Sequence, residues 1–351
     1  MFVPLRCPNP ACVDHRAPRR GFHRRCGRYR ARCRPGWTQR FRCRGCGRTF
    51  SEQTFRQDYR DRRPETNLQV MQMLVAGSGL RQIGRTVRLD PRAVLRKLEK
   101  YGRQLRRLHD NLGARLPAER TYLLDEEETY ECASIRPLTV PLAIEARTWF
   151  VVDWSVGPIR RLAKPGSIRR RRQDADERRV GRRPDASRRC VREVLGRLRE
   201  RVPNGELTLR TDEKSSYATL IRSLFGERAR HETISGRLAR TSRNPLFPIN
   251  VTIAMTRDNC GRLRRRSWLV TKNRDRLRDH LAVFAVYRNY IRRRFNSDRP
   301  HASAAFVLGL LPRAMTWDEA LRWRQDWAQH SPDPMSAQGR TTIADRLAAA
   351  A

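Results

Sequence analysis

The sequence predicts a multidomain α/β protein, and three observations predict it. Six of the nine cysteines fall within the first 46 residues. Residues 53–118 carry apolar side chains at helical spacing. Residues 119–300 alternate strand-like apolar runs with amphipathic helices, the pattern of an α/β core. At 351 residues the chain is long enough for two or three such modules.

Residues 1–52 are rich in Cys, Arg and Gly and too poor in aliphatics to build an ordinary core. Cys7 and Cys12 are one potential ligand pair; Cys43 and Cys46 are a second, about 30 residues on. In "CRGCGRTFS" two thiolates sit on a tight turn that Gly45 and Gly47 allow to fold round an ion. Four thiolates suit tetrahedral zinc, so the module reads as a zinc ribbon that binds DNA. Unpaired buried cysteines are the alternative. Cys26, Cys33, His15 and His23 are possible substitutes for one ligand. Between the pairs, "GFHRRCGRYRARC" interleaves Arg with aromatics, which suits a hairpin laid on phosphates.

Residues 53–118 read as a helical domain. "PETNLQVMQMLVAGSG" places Leu68, Met71, Leu74 and Val75 on one helix face. "GLRQIGRTVRLDPRAVLRKLEKYG" then has the pattern of a helix-turn-helix. Leu80, Ile83 and Val87 form one inner face, and Val94, Leu95 and Leu98 the next. Asp90 is the expected N-cap and Pro91 the first helical residue. Arg92, Arg96 and Lys97 are the expected outer face, offered to a major groove. A plain three-helix bundle is the alternative.

Residues 119–300 open with the strand-like runs "TYLLDEEETYE", "PLTVPLAIEA" and "TWFVVDWSV". Residues 157–188 are charge-dense, too poor in apolar side chains to pack, and read as a basic mobile loop. "CVREVLGRLRERV" is an amphipathic helix. "ELTLRTDEKSSYATLIRSLF" reads as strand, turn and helix. Two long helices are expected within 250–295. Residues 301–351 form a helical tail, "TWDEALRWRQDWAQ", and a disordered end.

The net charge is +40, with 76 Lys and Arg against 36 Asp and Glu. Codon bias accounts for Arg over Lys but not for the shortage of acids. Such an excess along the whole length points to a polyanion, nucleic acid above all. No apolar stretch is long enough to span a membrane, and the N-terminus lacks a signal-peptide run. The expectation is a cytoplasmic, nucleoid-associated protein.

With acids scarce, those at strand ends stand out. Asp125 closes the apolar run "TYLL", and Asp212 closes "LTLRT". Carboxylates placed so can share two Mg²⁺ or Mn²⁺ ions and act on phosphodiesters; a surface turn is the alternative for either. Asp153 reads as a strand-end residue rather than a metal ligand.

The cysteine pairs, the helix-turn-helix, "LDEEETYE", "LRTDEKSSY" and "INVTIAMTRDNCGRLRRRSWLVTK" together resemble a bacterial insertion-sequence transposase of the insertion-sequence-one type. The resemblance spans roughly residues 5–300. It implies a ribonuclease-H-like DDE catalytic core over 119–300, with Asp125 and Asp212 as the first two metal carboxylates. It implies a third ligand on the helix from residue 250, with a DNA-binding basic residue two turns later, where Arg257 stands. It also implies at least a dimer on double-stranded DNA, binding element ends and target.

The chain departs from that family at the third acid, where Asn250 stands. Asn250 reads either as a helix N-cap or as a neutral magnesium ligand. Asn250, Arg257 and Arg264 recur every seven residues and so line one helix side. Asp258 is not a substitute, being about 12 Å further along the helix and about 80° round it. Glu232 precedes the helix and needs another geometry. The resulting expectation is a metal-dependent DNA transposase. The competing one is a silent relic acting as a DNA-binding protein or repressor. An RNA-binding zinc protein would leave the helix-turn-helix unexplained.

Overall fold

The computed structural model describes residues 2–30, 36–265 and 267–323. Cys33 and residues 324–351, which hold most of the expected tail, lie outside the described residues. The chain divides into two compact units, residues 1–69 with 316–351, and residues 70–315.

In the first unit a single turn of helix, α1 (Val13–Arg16), follows Cys7 and Cys12. Three antiparallel strands come next in the order β1 (His23–Arg30), β2 (Trp37–Cys43) and β3 (Thr49–Ser51). Helix α2 (Glu52–Phe55) closes the ribbon. Its core is aromatic: Phe22, Phe41, Phe50 and Phe55 pack round Cys7, Cys12 and Cys43. The Phe41 and Phe50 rings stack at 6.0 Å. Aromatic rings bury roughly 150–250 Å² each, so a few of them replace the missing aliphatics.

Helix α3 (Asn67–Val75) leads into the second unit. Val70, Met71 and Leu74 are buried on it, while Leu68, expected inside, is 40% exposed. Helices α4 (Leu80–Val87) and α5 (Pro91–Leu112) follow. Asp90 caps α5 as its side chain predicts, accepting from the Arg92 N–H at 2.8 Å, with Pro91 in the first turn. Ile83, Val87, Val94 and Leu98 are buried. Gly102 lets α5 approach a later helix closely: a Cβ there would lie 2.5 Å from Asp279 Cβ.

The main sheet is mixed. β4 (Thr121–Glu131), β5 (Ala133–Glu145) and β6 (Val151–Trp154) are antiparallel neighbours. A short β7 (Gly157–Pro158) also pairs with β5. After helices α6 (Ile168–Val180) and α7 (Ser187–Arg201), β8 (Leu207–Thr211) inserts parallel to β4. Helix α8 (Ser215–Phe225) then leads to β9 (Ala229–Thr233), parallel to β8. The sheet order is β6-β5-β4-β8-β9. Helices α9 (Phe247–Asn259) and α10 (Arg274–Val286) come next. Tyr287–Ile291 continues α10 as a wider π turn, and α11 (Ala304–Val307) ends this unit. Helix α12 (Trp317–Arg322) lies in the first unit.

Strand alternation sorts the sheet into two faces. Leu123, Leu142 and Ile144 join Ile249, Ile253 and Leu281 of α9 and α10 in one core cluster. Glu126, one step off that alternation, takes partners from the α7–α8 side. Of the aromatics of "RTWFVVDW", Trp154 lies buried in β6, Phe150 is buried just before that strand, and Trp149 packs edge-on against Phe247 and Phe295.

Two expectations are corrected here. The segment read as an unstructured loop contains α6. It folds through charge pairs rather than apolar contact. Ser167 caps it, Asp176 pairs with Arg136 at 2.6 Å, and Glu177 pairs with Arg160 at 2.9 Å. Buried Gln173 accepts from the Ala163 N–H and donates to the Arg161 carbonyl. The second correction concerns Asn250, which is not an N-cap. The cap position of α9 is Leu246, and Asn250 sits a full turn in, its N–H on the Leu246 carbonyl. Asn244 starts the turn instead, accepting from the Leu246 N–H at 2.8 Å.

Candidate functional site

Four cysteines converge in the first unit. The sulfurs of Cys7, Cys12, Cys43 and Cys46 all lie within 4.8 Å of one another. Cys7 Sγ is 3.5 Å from Cys46 Sγ, and Cys12 Sγ is 3.8 Å from Cys43 Sγ. Disulfide sulfurs would be about 2.05 Å apart. Four thiolates about 2.3 Å from a zinc ion would be about 3.8 Å apart, so the cluster suits a metal such as zinc. Gly47, at φ 70°, permits the turn that returns its N–H to the Cys43 carbonyl. A hydrogen bond from the Arg48 backbone lowers the Cys46 thiol to about 7, while burial raises Cys7 and Cys12. Zinc would strengthen thiolate formation in all four.

Among the described residues, the substitutes do not join this group. His15 points Nδ1 at the Cys7 carbonyl, 2.7 Å away, and His23 packs edge-on to Phe41. Cys26 is a free thiol on β1. Sequence reading missed Asp14, fully buried beside the cluster. Arg19 holds it with two hydrogen bonds of 2.8 and 2.9 Å and lowers its carboxyl to about 2. Its Oδ2 lies 3.6 Å from Cys43 Sγ. A Cβ at Gly45 would come within 2.4 Å of that oxygen, which is why glycine stands there.

The carboxylates gather on the main sheet. β4 and β8 run parallel with Leu123 opposite Arg210, so two residues on Asp125 comes level with Asp212. Asp212 is the first residue beyond β8. Burial raises the Asp125 carboxyl to about 6 from 3.8, and the Asp212 charge adds to the rise. The N–H of Glu126 donates to Asp125 Oδ1 at 2.6 Å. Asp212 Oδ1 accepts from the Lys214 N–H at 3.1 Å.

The network beside these two acids was not anticipated. On the opposite sheet face Glu126 accepts from Lys214 Nζ, from Thr139 Oγ1 at 2.6 Å, Ser187 Oγ at 2.9 Å and Tyr217 Oη at 2.9 Å. Burial alone would raise the Glu126 carboxyl; Lys214 and the hydroxyls outweigh it and lower it. Lys214 thus holds Asp212 by its backbone and the residue after Asp125 by its side chain. The signal was present as "DEEE" and "DEK": period-two alternation sends Glu126 to one face and keeps Glu127 on that of Asp125.

Glu127 is buried and paired with Arg257 and Arg265, the latter at 3.1 Å. Arg257 therefore ties α9 to β4, and the paired carboxylate raises its guanidinium further. Asn250 lies about 10 Å back along the same helix. Its side chain makes no hydrogen bond among the described residues. Asp258 is exposed. Glu232 pairs with Arg210 at 2.7 Å across β8 and β9. Among the described residues, no three carboxylates converge as the cysteines do. Asp153 is fully buried on β6 and neutralised by Arg106, Arg197 and Arg201, a structural use of the acid.

The basic residues divide. Arg92 and Arg96 are exposed on α5. Lys97, expected beside them, is buried at 7% exposure, because its position falls next to the Val94 and Leu98 stripe. Arg264 is not on the helix of Asn250 and Arg257. That helix ends at Asn259, where Cys260 turns extended, and Arg264 Nη2 folds back to the Asp258 carbonyl at 3.2 Å. No helix among the described residues is long and apolar enough to cross a membrane. No family model matches the chain, and no curated protein matches it either.

Proposed function

We propose that the protein is a metal-dependent DNA transposase of the insertion-sequence-one type. The observation that carries the reading is the placement of Asp125, which lies within β4 and not at its end as the sequence suggests, level with Asp212 just past the end of the adjacent parallel strand β8, where the Asp212 charge helps raise the Asp125 carboxyl. Such a pair, left with its charges facing, is suited to a divalent cation. The strand order, with Asp125 on the central β4 and two helices covering that face, supports a ribonuclease-H-like core.

On this reading Asp125, Asp212 and the Asn250 amide hold Mg²⁺ or Mn²⁺, which when bound neutralises charge developing on the phosphodiester. Asn250 adds an oxygen without charge. Lys214 and Glu126 keep the two aspartates in register, and the Arg257–Glu127 pair fixes α9 above them. Water adds to the phosphorus at the element end, and the bond to the departing 3′-oxygen breaks to leave a 3′-OH. That hydroxyl then attacks a target phosphodiester, forming one P–O bond as the target's breaks. Arg92 and Arg96 on α5, as a helix-turn-helix, and the arginines of the zinc ribbon would hold duplex DNA, with the protein at least dimeric on it.

The gap at the third acid favours one competitor, a silent relic that binds element ends or represses transposition. Incubating the protein with labelled element-end DNA and Mn²⁺ separates the two. Cleavage by wild type that Asp125→Ala abolishes supports the transposase. No cleavage until Asn250→Glu restores it supports the relic. Cleavage that survives Asp125→Ala sinks the site assignment.

A further inference from the structure

A cavity of about 540 Å³ opens between the starts of α4 and α5 and residues 261, 262, 268–270 and 272, away from the carboxylates. Leu80, Leu95 and Leu269 line it with apolar surface. Trp268 stands at its wall with 95% of its surface exposed, the most exposed large apolar side chain described. With Leu80, Leu95 and Leu269 the exposed indole makes a contiguous apolar surface on which a flat ring can stack.

Four cations also line the cavity: Arg81, Arg92, Arg262 and Lys272. Among the described residues none of these side chains makes a hydrogen bond or ion pair. Elsewhere the same chain pairs many of its arginines with its few acids, as at Asp153 and Glu127. No acidic side chain lines this cavity. Asp279 offsets part of the Arg262 charge, while Arg81, Arg92 and Lys272 have no acidic partner among the described residues, which suits an anionic ligand.

The third feature is His280, a lining residue only 2% exposed. Its Nε2 lies 3.0 Å from the Leu74 carbonyl, which can only accept, so Nε2 carries the ring proton. Burial, with Arg262 adding to it, lowers the ring to about 4, so it is neutral at pH 7. Nδ1 is then an acceptor, and it has no partner. A buried acceptor without a donor is unfavourable, and a ligand N–H would satisfy it.

We propose that this cavity is a nucleotide site that takes one unstacked nucleotide of DNA. The base stacks on Trp268 and turns an N–H to His280 Nδ1, while the phosphate is held by the arginines at the mouth. All four DNA bases carry such a donor, so the site reads an unpaired base rather than a particular one. The volume is within the usual range for small-molecule sites, about 300–1,000 Å³. The DNA source rests on the function proposed above, since Arg92 belongs to both the cavity and the α5 outer face. The chemistry of the cavity does not depend on catalysis.

The test uses the zinc-loaded full chain and fluorescence anisotropy with two labelled probes: a perfect duplex and the same duplex with one bulged nucleotide. Free deoxyadenosine monophosphate is titrated separately. Trp268→Ala is compared with wild type and with Trp268→Phe; the exposure of Trp268 makes both variants safe for folding. Wild type is expected to prefer the bulged probe. Trp268→Ala should weaken that probe about tenfold while leaving the perfect duplex unchanged, and Trp268→Phe should retain most of the preference. Binding of the free nucleotide that depends on Trp268, without any preference between the duplexes, supports the cavity with a free nucleotide as its ligand. No effect of Trp268→Ala on either the bulged probe or the free nucleotide overturns the inference. Failure of wild type to bind either duplex instead removes the DNA reading, and the free-nucleotide arm still decides the cavity.

Discussion

The cysteine cluster and the carboxylate face make opposite use of short-range sequence. The four thiols come from two short motifs whose spacing nearly closes the geometry alone. Their sulfur separations of 3.5 and 3.8 Å are already those of a tetrahedral ligand set. The carboxylate face is assembled from β4, the end of β8 and α9, segments far apart in the chain. It has two acids side by side and a third carboxylate, Glu127, neutralised by arginine. The first region is four clustered thiols with a small aromatic core; the second is a pair of acids in a frame of ion pairs. Stability should therefore depend on metal in the first region and on charge balance in the second.

The sharpest break of that contrast is Cys43→Ser. Structural zinc contributes on the order of 10 kcal/mol in small metal modules. Hydrogen exchange should show residues 22–55 losing protection while 121–131 keep theirs. Loss of protection in both segments would mean that the two regions do not differ in this way.

Next is Arg257→Ala, which leaves buried Glu127 with Arg265 alone. Urea unfolding should show a loss of about 1–3 kcal/mol. An unchanged midpoint would show that the pair is not what holds α9 to the sheet.

A smaller and opposite effect is expected from Asp125→Asn. The folded carboxyl titrates near 6, above its ordinary 3.8, so the folded state holds the proton more tightly than the unfolded one. Stability is unaffected below about pH 4 and falls as pH rises through 6. The asparagine variant should thus gain about 2–4 °C in Tm at pH 7.5 and nothing at pH 3.5. A lower Tm at pH 7.5 would count against the strained carboxylate pair.

The smallest effect separates two neighbours on α5. Arg92→Ala should reduce the salt dependence of duplex binding by about one unit of slope with little change in Tm. Lys97→Ala should leave the slope unchanged and lower the Tm, since Lys97 is buried. The reverse result would restore Lys97 to the outer face.

What was legible in the sequence follows the range of the forces involved. Asp90–Pro91 marked its helix start because a cap acts within three residues. The cysteine pairs were legible for the same reason. Helix α6 was hidden because its support comes from Arg136, thirty or more residues away, and not from apolar periodicity. Asn250 looked like a cap because Pro248 follows the usual helix-entry pattern, while the turn is made by Asn244. Arg264 kept the seven-residue spacing past a break at Cys260 that composition does not reveal. The acids at 126 and 127 were visible as a run, but only the sheet shows that they serve opposite faces.

On the proposed function, Asp125 and Asp212 hold a divalent cation with Asn250 as the weak third ligand. Manganese binding to the full chain, followed by electron paramagnetic resonance at pH 7.5, tests it most directly. Binding is expected in wild type, weakening as pH falls through 6, disappearing in Asp125→Ala, and strengthening about tenfold in Asn250→Glu as the ligand charge grows. Manganese binding of equal strength in wild type and Asp125→Ala would contradict it.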